Sequence, residues 1–245
     1  MGANATTFVP TYVAGEVLTA TDLNVTNSGI PVFADSTARD AAFGGSGEKV
    51  LAEGQYAYLE STNATQYYDG SAWQSVGVTP GLTIVQAATT FTTVSAININ
   101  SVFTSTYTNY RIVFNPSAAS AGGSITMKMR ASGTDTSTNY ATRTFYGSPA
   151  TGGIYASDSL GTDEWYLGNI STTSGTGNGV IDIYNPQTTI PTAITAQFLG
   201  GETGVGIFTY LTAGHQNSAT QFDGLSLLIN AGTFTGTYTI YGYSK

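Results

Sequence analysis

Residues 234–243 read Phe-Thr-Gly-Thr-Tyr-Thr-Ile-Tyr-Gly-Tyr. In an extended chain, successive side chains point to opposite sides. Phe234, Gly236, Tyr238, Ile240 and Gly242 therefore share one face, and Thr235, Thr237, Thr239, Tyr241 and Tyr243 share the other. An alternation of period two in β-branched and aromatic residues predicts a strand, with one side turned to a core. The threonine and tyrosine side suits packing against another subunit and suits plain solvent exposure equally well.

Outward from this strand, the same kind of pattern recurs at short spacing. The candidates are Leu82–Ala87, Thr90–Ile99, Tyr110–Asn115, Ser124–Ala131, Tyr140–Tyr146, Glu164–Ile170, Val180–Asn185, Ala193–Leu199, Val205–Thr212, Leu225–Asn230 and Thr235–Tyr243. Within Ser124–Ala131, Ile125, Met127 and Met129 alternate with Thr126, Lys128 and Arg130. Gly, Pro, Asn and Ser separate nearly all of these runs, and no helical period of useful length interrupts them. About eleven strands at this spacing predict an all-β, jelly-roll-like β-sandwich over residues 82–245. A domain of ~165 residues can bury a substantial core.

Composition agrees with this reading. Only 9% of the 245 residues are charged, against a usual fraction of about a quarter. The polar surface must then be built from Thr, Ser, Asn and Gly, which favour strands and turns over long helices. Apolar residues make up 41% of the chain, which excludes wholesale disorder. The 30 glycines follow no three-residue period, which excludes collagen. There is no cysteine, so disulfides, thiolate catalysis and cysteine-bound metals are excluded.

The stretch from Val13 to Trp73 is different. It carries turn residues and short patterns but no continuous apolar run long enough for a core. Residues 1–12 are expected to be extended. Thr19, with Asp22 three positions on and Leu23 beside it, predicts a capped short helix. A second helix is expected from Thr37 to Phe43, capped by Ser36 and stopped by Gly44-Gly45, with a loop over Gly44–Gly47. A small β-meander follows. Its strands are Gln55–Glu60 (Tyr56 and Tyr58 on one face), Gln66–Tyr68, and Ala72–Val76 with Trp73, the last two joined at Asp69-Gly70. Three short strands are marginal alone, so a partner chain is expected to support them. Val78-Thr79-Pro80-Gly81 reads as a linker. The organisation is thus an extended N-terminal anchor over 1–77, a linker over 78–81 and a head over 82–245.

Net charge is −8. Residues 1–77 hold eight acids and two bases, and residues 78–245 hold seven acids and five bases. The anchor is therefore the acidic part, which suits a basic docking surface or a solvated face. No basic stripe is present, so no nucleic acid partner is expected. No apolar run approaches the ~18 residues of a membrane span, so no membrane insertion is expected. The N-terminal residues show no signal-peptide pattern, which implies synthesis in a cytoplasm.

Few residues suggest chemistry. His215, the only histidine, stands in Ala-Gly-His-Gln-Asn, which reads as a loop and as a surface or interface position. Asp158, Asp163 and Glu164 fall close together in sequence, as paired carboxylates of a glycosidase would, but read better as exposed acids in a turn before Trp165. Asp135 offers one carboxylate where Ca²⁺ needs six to eight oxygens. Ser174–Gly179 lacks the Lys-Ser/Thr of a phosphate loop and reads as a hairpin tip. No enzyme, cofactor or metal is expected. Aromatic residues remain as the binding signal. Tyr140, Tyr155 and Trp165, expected on distal loops, are the candidates for contact with a sugar or a protein partner.

Three pieces of the N-terminal region, AGEVLTATDLN, VFADSTARDAA and YYDGSAWQSVG, resemble the attachment cassette of tailed-bacteriophage fibre and minor tail proteins. SVFTSTYTNYRIVF, MKMRASGTDTSTNYATRTFYG and FTGTYTIYGYSK resemble a β domain at the C-termini of such proteins. The resemblance covers most of the chain, and the repetitive shaft of long fibres is missing. It implies a virion component, a homotrimer whose N-terminal module meets tail, neck or baseplate proteins and whose head meets a host surface glycan or protein. The alternative is a structural adaptor, neck or capsid-decoration protein without a receptor role.

Overall fold

The computed structural model describes residues 15, 17, 30–43, 50–77, 81–172 and 177–244. The expected extended start over 1–12, the Thr19 cap, the Gly44–Gly47 loop, linker residues 78–80 and positions 174–176 of the expected hairpin tip lie outside the described residues. The chain divides into two compact units, Met1–Thr79 and Pro80–Lys245.

The first unit holds a four-stranded sheet in the order β1 (Val32–Phe33), β2 (Tyr56–Leu59), β3 (Ala64–Tyr68), β4 (Trp73–Ser75). β1 pairs parallel to β2, and the other neighbours are antiparallel. One helix, α1 (Ser36–Ala41), follows β1. Its N-cap is Asp35, one residue before the expected Ser36. Asp35 is extended, and its carboxylate accepts the Ala38 N–H at 2.9 Å, which relieves one orphan donor of the first turn. A small core does form here, from Phe33, Ala42, Ala57 and Leu59. Phe43 and Trp73 pack against it with their rings 5.7 Å apart. Tyr56 and Tyr58 share one face of β2 as expected, and the opposite face, Ala57 and Leu59, turns inward. Arg39 closes the unit, buried beneath the Trp73 ring at 4.6 Å and paired with Asp40. At the β3–β4 turn the Asp69 carboxylate accepts from the N–H groups of Ala72 and Ser71. These bonds, the Ala72 one foremost, hold its pKa well below the usual carboxylate range.

The second unit is an all-β sandwich. Its strands are β5 (Leu82–Val94), β6 (Ala96–Ile99), β7 (Asn109–Ala119), β8 (Gly123–Ala131), β9 (Thr134–Asp135), β10 (Tyr140–Gly147), β11 (Ile154–Thr162), β12 (Trp165–Ile170), β13 (Asn178–Tyr184), β14 (Thr192–Glu202), β15 (Gly206–Gln216), β16 (Gly224–Ile229) and β17 (Phe234–Tyr243). The larger sheet runs β11-β10-β15-β14-β13-β7-β17-β5, and the smaller runs β12-β8-β16-β6 with β9 on β8. Pairing within both sheets is antiparallel. β5 and β6 pair with β17 and β16, which pair in turn with β7 and β8, which pair with β13 and β12. Each of these pairs steps from one sheet to the other while its partner makes the reverse step. That nested ribbon is the jelly-roll pattern.

β17 carries the expected alternation. Phe234, Gly236, Tyr238, Ile240 and Gly242 are buried, and the threonine and tyrosine face is half-buried. On that face Tyr243 donates to Asp182 at 2.7 Å, and Asp182 takes both arms of Arg111 at 2.8 and 2.7 Å. The core joins the two inner faces. Phe91 meets Phe234 at 4.9 Å and Phe114 at 5.9 Å, and Ile125, Met127 and Met129 of β8 are fully buried opposite. Each such side chain contributes about 1.5–3 kcal/mol by leaving water. On the outer side of the small sheet, Arg130 is buried and hydrogen-bonds Asn98, Asn100, Asp135, Ser226 and the Gly133 carbonyl. Asp135 is thus committed to an arginine.

β11 is a strand where the sequence predicted a turn. Its inward positions, opposite those of β10, are Tyr155, Ser157 and Ser159. Those residues lack the apolar alternation that marks a half-buried strand. The reason is that nothing in the small sheet lies beneath them.

Candidate functional site

The larger sheet has eight strands and the path of the smaller has four. At ~4.8 Å per strand, one sheet is about twice as wide as the other, so its end must overhang. β12, the edge of the small sheet, packs over β14, β15 and β10 and stops there. The overhang leaves a cleft of about 380 Å³.

β10 contributes Thr142, Thr144 and Tyr146, and β15 contributes Tyr210. Ser157 and Ser159 of β11 form one wall, and Tyr166 and Asn169 of β12 the other, with Glu202 at the end of β14. Two local features set the β12 wall. A bulge between Tyr166 and Gly168 inserts one residue against β8 and re-aims the side chains beside it. At Gly200, an added Cβ would lie 2.0 Å from the Asn169 carbonyl oxygen. Glycine there lets β14 approach β12 closely enough for Asn169 Nδ2 to donate to Glu202 at 2.7 Å. The Asn169 side-chain Oδ1 in turn accepts from the Tyr166 hydroxyl at 2.9 Å and from the Ser124 hydroxyl at 3.0 Å.

Two hydroxyls of the lining are left over. Thr142 Oγ1 and Tyr210 Oη are buried and have no hydrogen-bond partner. Thr142 is 7% exposed and Tyr210 2% exposed. Tyr210 Oη lies beside the Tyr166 hydroxyl and the Asn169 backbone but completes no hydrogen bond of ordinary geometry to either. Buried polar atoms are nearly always paired, and leaving one unpaired costs about 1–3 kcal/mol. Burial pushes the Tyr210 phenol up to about 12, helped by the negative charge of Glu202. Burial raises Tyr166 as well, with Tyr210 and Glu202 adding to it. Both remain neutral hydroxyls that can donate and accept. The lining thus offers hydroxyls, an amide, tyrosine ring surface and one carboxylate, with no lysine or arginine. A pair of carboxylates flanking a scissile bond is not among these residues.

The aromatic candidates are placed differently from one another. Tyr140 and Trp165 are fully buried, with rings edge-on at 4.9 Å. The Tyr140 hydroxyl accepts from Met129 N–H at 2.8 Å and donates to the Thr136 carbonyl at 3.1 Å. The expectation that they stand on distal loops is corrected: they begin strands β10 and β12, and their rings fill the core behind the cleft. Tyr155 is 41% exposed, on β11, with its ring stacked on Tyr146 at 5.5 Å. It borders the cleft.

The acids near Trp165 do not converge. Asp158 pairs with Arg143, while Asp163 and Glu164 meet Lys128 at 3.2 and 3.7 Å. His215 lies on strand β15, not in a loop, and is paired across it with Ala141 and Ala193. Among the described residues no cluster of three or more His, Asp or Glu could hold a metal ion. The cleft residues Thr142, Thr144, Tyr146, Tyr166, Glu202 and Tyr210 were missed in the sequence. One sign of them was available: the positions of β10 facing the cleft read Thr142, Thr144, Tyr146, polar where a core strand is apolar.

No protein family, curated protein or solved structure matches this chain.

Proposed function

We propose that the chain is a bacteriophage virion fibre, either a tail fibre or a short external appendage. Residues 1–77 dock it on the particle, and the head over 82–245 contacts the host cell surface as a homotrimer. The observation that carries this reading is the pairing of two unlike compact units. One is small, resembles an attachment cassette and contains most of the acidic excess. The other is a sandwich with a cleft bounded by hydroxyls and tyrosines. Such side chains suit recognition of polyhydroxylated surfaces. Weak sites repeated three times per fibre and many times per virion would give firm adsorption through multivalency.

The test is competition. Purified full-length chain, added in excess, should slow adsorption of the phage to its host. Unchanged adsorption at saturating chain counts against a receptor role. Sedimentation should give three times the chain mass, and a stable monomer at micromolar concentration counts against the trimer.

A second reading is favoured by the outer side of β10, β11 and β15. There Phe145, Leu160, Ile207 and Leu211 are exposed at 45–83%. Apolar residues grouped on one side of a sheet suit a protein partner, as in a structural adaptor or decoration protein. Particles lacking residues 82–245 would separate the two readings: intact particles that fail to adsorb support the fibre, and fragile particles support the adaptor.

A further inference from the structure

We propose that the overhang cleft between β10–β11 and β12 binds a neutral saccharide, one pyranose ring deep, at Glu202, Tyr210 and Thr142. This inference rests on the reading of the head as the host-contacting module and names what it takes there.

Thr142 Oγ1 and Tyr210 Oη are buried and lack partners, and the residues that carry them, each more than nine-tenths buried, line a cleft open to solvent. An occupant that satisfies them must both donate and accept. An apolar ligand would leave both unpaired. Sugar hydroxyls do both, and they also donate to a carboxylate, the role open to Glu202. The ring surface of Tyr146 and Tyr166 can cover the sugar's C–H groups. Charge decides between sugar classes. The lining has no cation and one anion, so the carboxylate of an acidic sugar, or a phosphate, would face Glu202 unpaired. Neutral sugars carry no such cost. Size decides length. A volume of about 380 Å³ lies at the lower end of small-ligand sites, which suits a terminal ring rather than a buried chain.

The experiment is ligand-observed NMR titration of the full chain with the methyl glycosides of glucose, galactose and N-acetylglucosamine. N-acetylneuraminic acid serves as the acidic control. At least one neutral glycoside should bind with a Kd on the order of 1 mM, and the acidic sugar should not. Glu202→Gln keeps the shape and the Asn169 contact but removes the charge, and should weaken binding about tenfold. Ser157→Trp, on the exposed wall, should fill the cleft and abolish binding. His215→Ala, on the other side of the sheet, should leave it unchanged. Melting curves equal to the parent's show that a variant is folded.

Absence of binding by all three neutral glycosides overturns the proposal. So does tighter binding of the acidic sugar, or binding that survives Ser157→Trp in a folded protein. If no glycoside binds while the chain still competes for adsorption, the cleft assignment falls and the attachment reading stands. If a glycoside binds at the cleft but the chain does not compete, the saccharide site stands and the attachment reading falls.

Discussion

Replacing Trp165 by alanine tests the head where sequence and structure disagree most. Trp165 is fully buried at the start of β12. Its ring meets Tyr140 edge-on, 4.9 Å between centroids at 88°. A Cβ added at Gly214 would fall 2.9 Å from the indole Cδ1 and Nε1, so the neighbouring strand already packs to contact. Truncating an aromatic side chain in such a site costs about 3–5 kcal/mol through lost transfer energy and the residual cavity. For a domain of this size each kcal/mol lowers Tm by about 2–4 °C. Trp165→Ala should therefore lower the head's Tm by roughly 6–20 °C. Trp165→Phe keeps most of the packing and removes an indole N–H that has no hydrogen-bond partner, a burden of about 1–3 kcal/mol. It should lose clearly less than the alanine variant. The assay is differential scanning calorimetry of the full chain. The chain has two tryptophans, and Trp73 lies in the first unit, so Trp73→Phe leaves an indole whose fluorescence assigns the head's transition. A shift below about 2 °C for Trp165→Ala would refute the core placement.

Three other predictions follow from the same geometry. Gly200→Ala places a methyl 2.0 Å from the Asn169 carbonyl oxygen and must push β14 from β12; the expected cost is about 1–3 kcal/mol in a denaturant melt, and an unchanged midpoint would contradict the close approach. Arg130→Met strips five partners of their buried cation and should destabilise the head by about 3–5 kcal/mol, with part of the loss recovered when Asp135→Asn is added. Stability should fall at both ends of the pH scale. Burial raises the Asp182 pKa, but the Arg111 fork and the Tyr243 hydroxyl outweigh it and hold the carboxyl below its ordinary value. Its contribution is therefore present above the unfolded pKa and lost as pH falls through the folded one, and Asp182→Asn should flatten that acid limb. Tyr210 is raised to about 12 from 10, so its contribution is full below about pH 10 and is lost as pH rises toward 12, a limb that Tyr210→Phe should shrink.

What could be read in the sequence depended on whether a strand has something beneath it. β17 and β8 lie over the core, and their alternation predicted both strands and which side faces inward. β11 lies over the cleft, so Tyr155, Ser157 and Ser159 gave no apolar period and the segment read as a turn. The same physics hid the site. Thr142, Thr144 and Tyr210 come from strands far apart in sequence and meet only through the sheet order β10-β15-β14. Composition pointed to tyrosines as a class but could not separate Tyr155, at the cleft's border, from Tyr140 and Trp165, whose rings are spent on the core. In the first unit, alternation put Tyr56 and Tyr58 on one face of β2 but left open which face turns inward; it is Ala57 and Leu59, which pack with Phe33 and Ala42.

The attachment role is tested most directly by locating this chain's density in an intact particle. The account predicts density in an external appendage, with residues 1–77 against the particle and residues 82–245 directed outward. Density enclosed within the capsid, or particles that contain none of the chain, would contradict it.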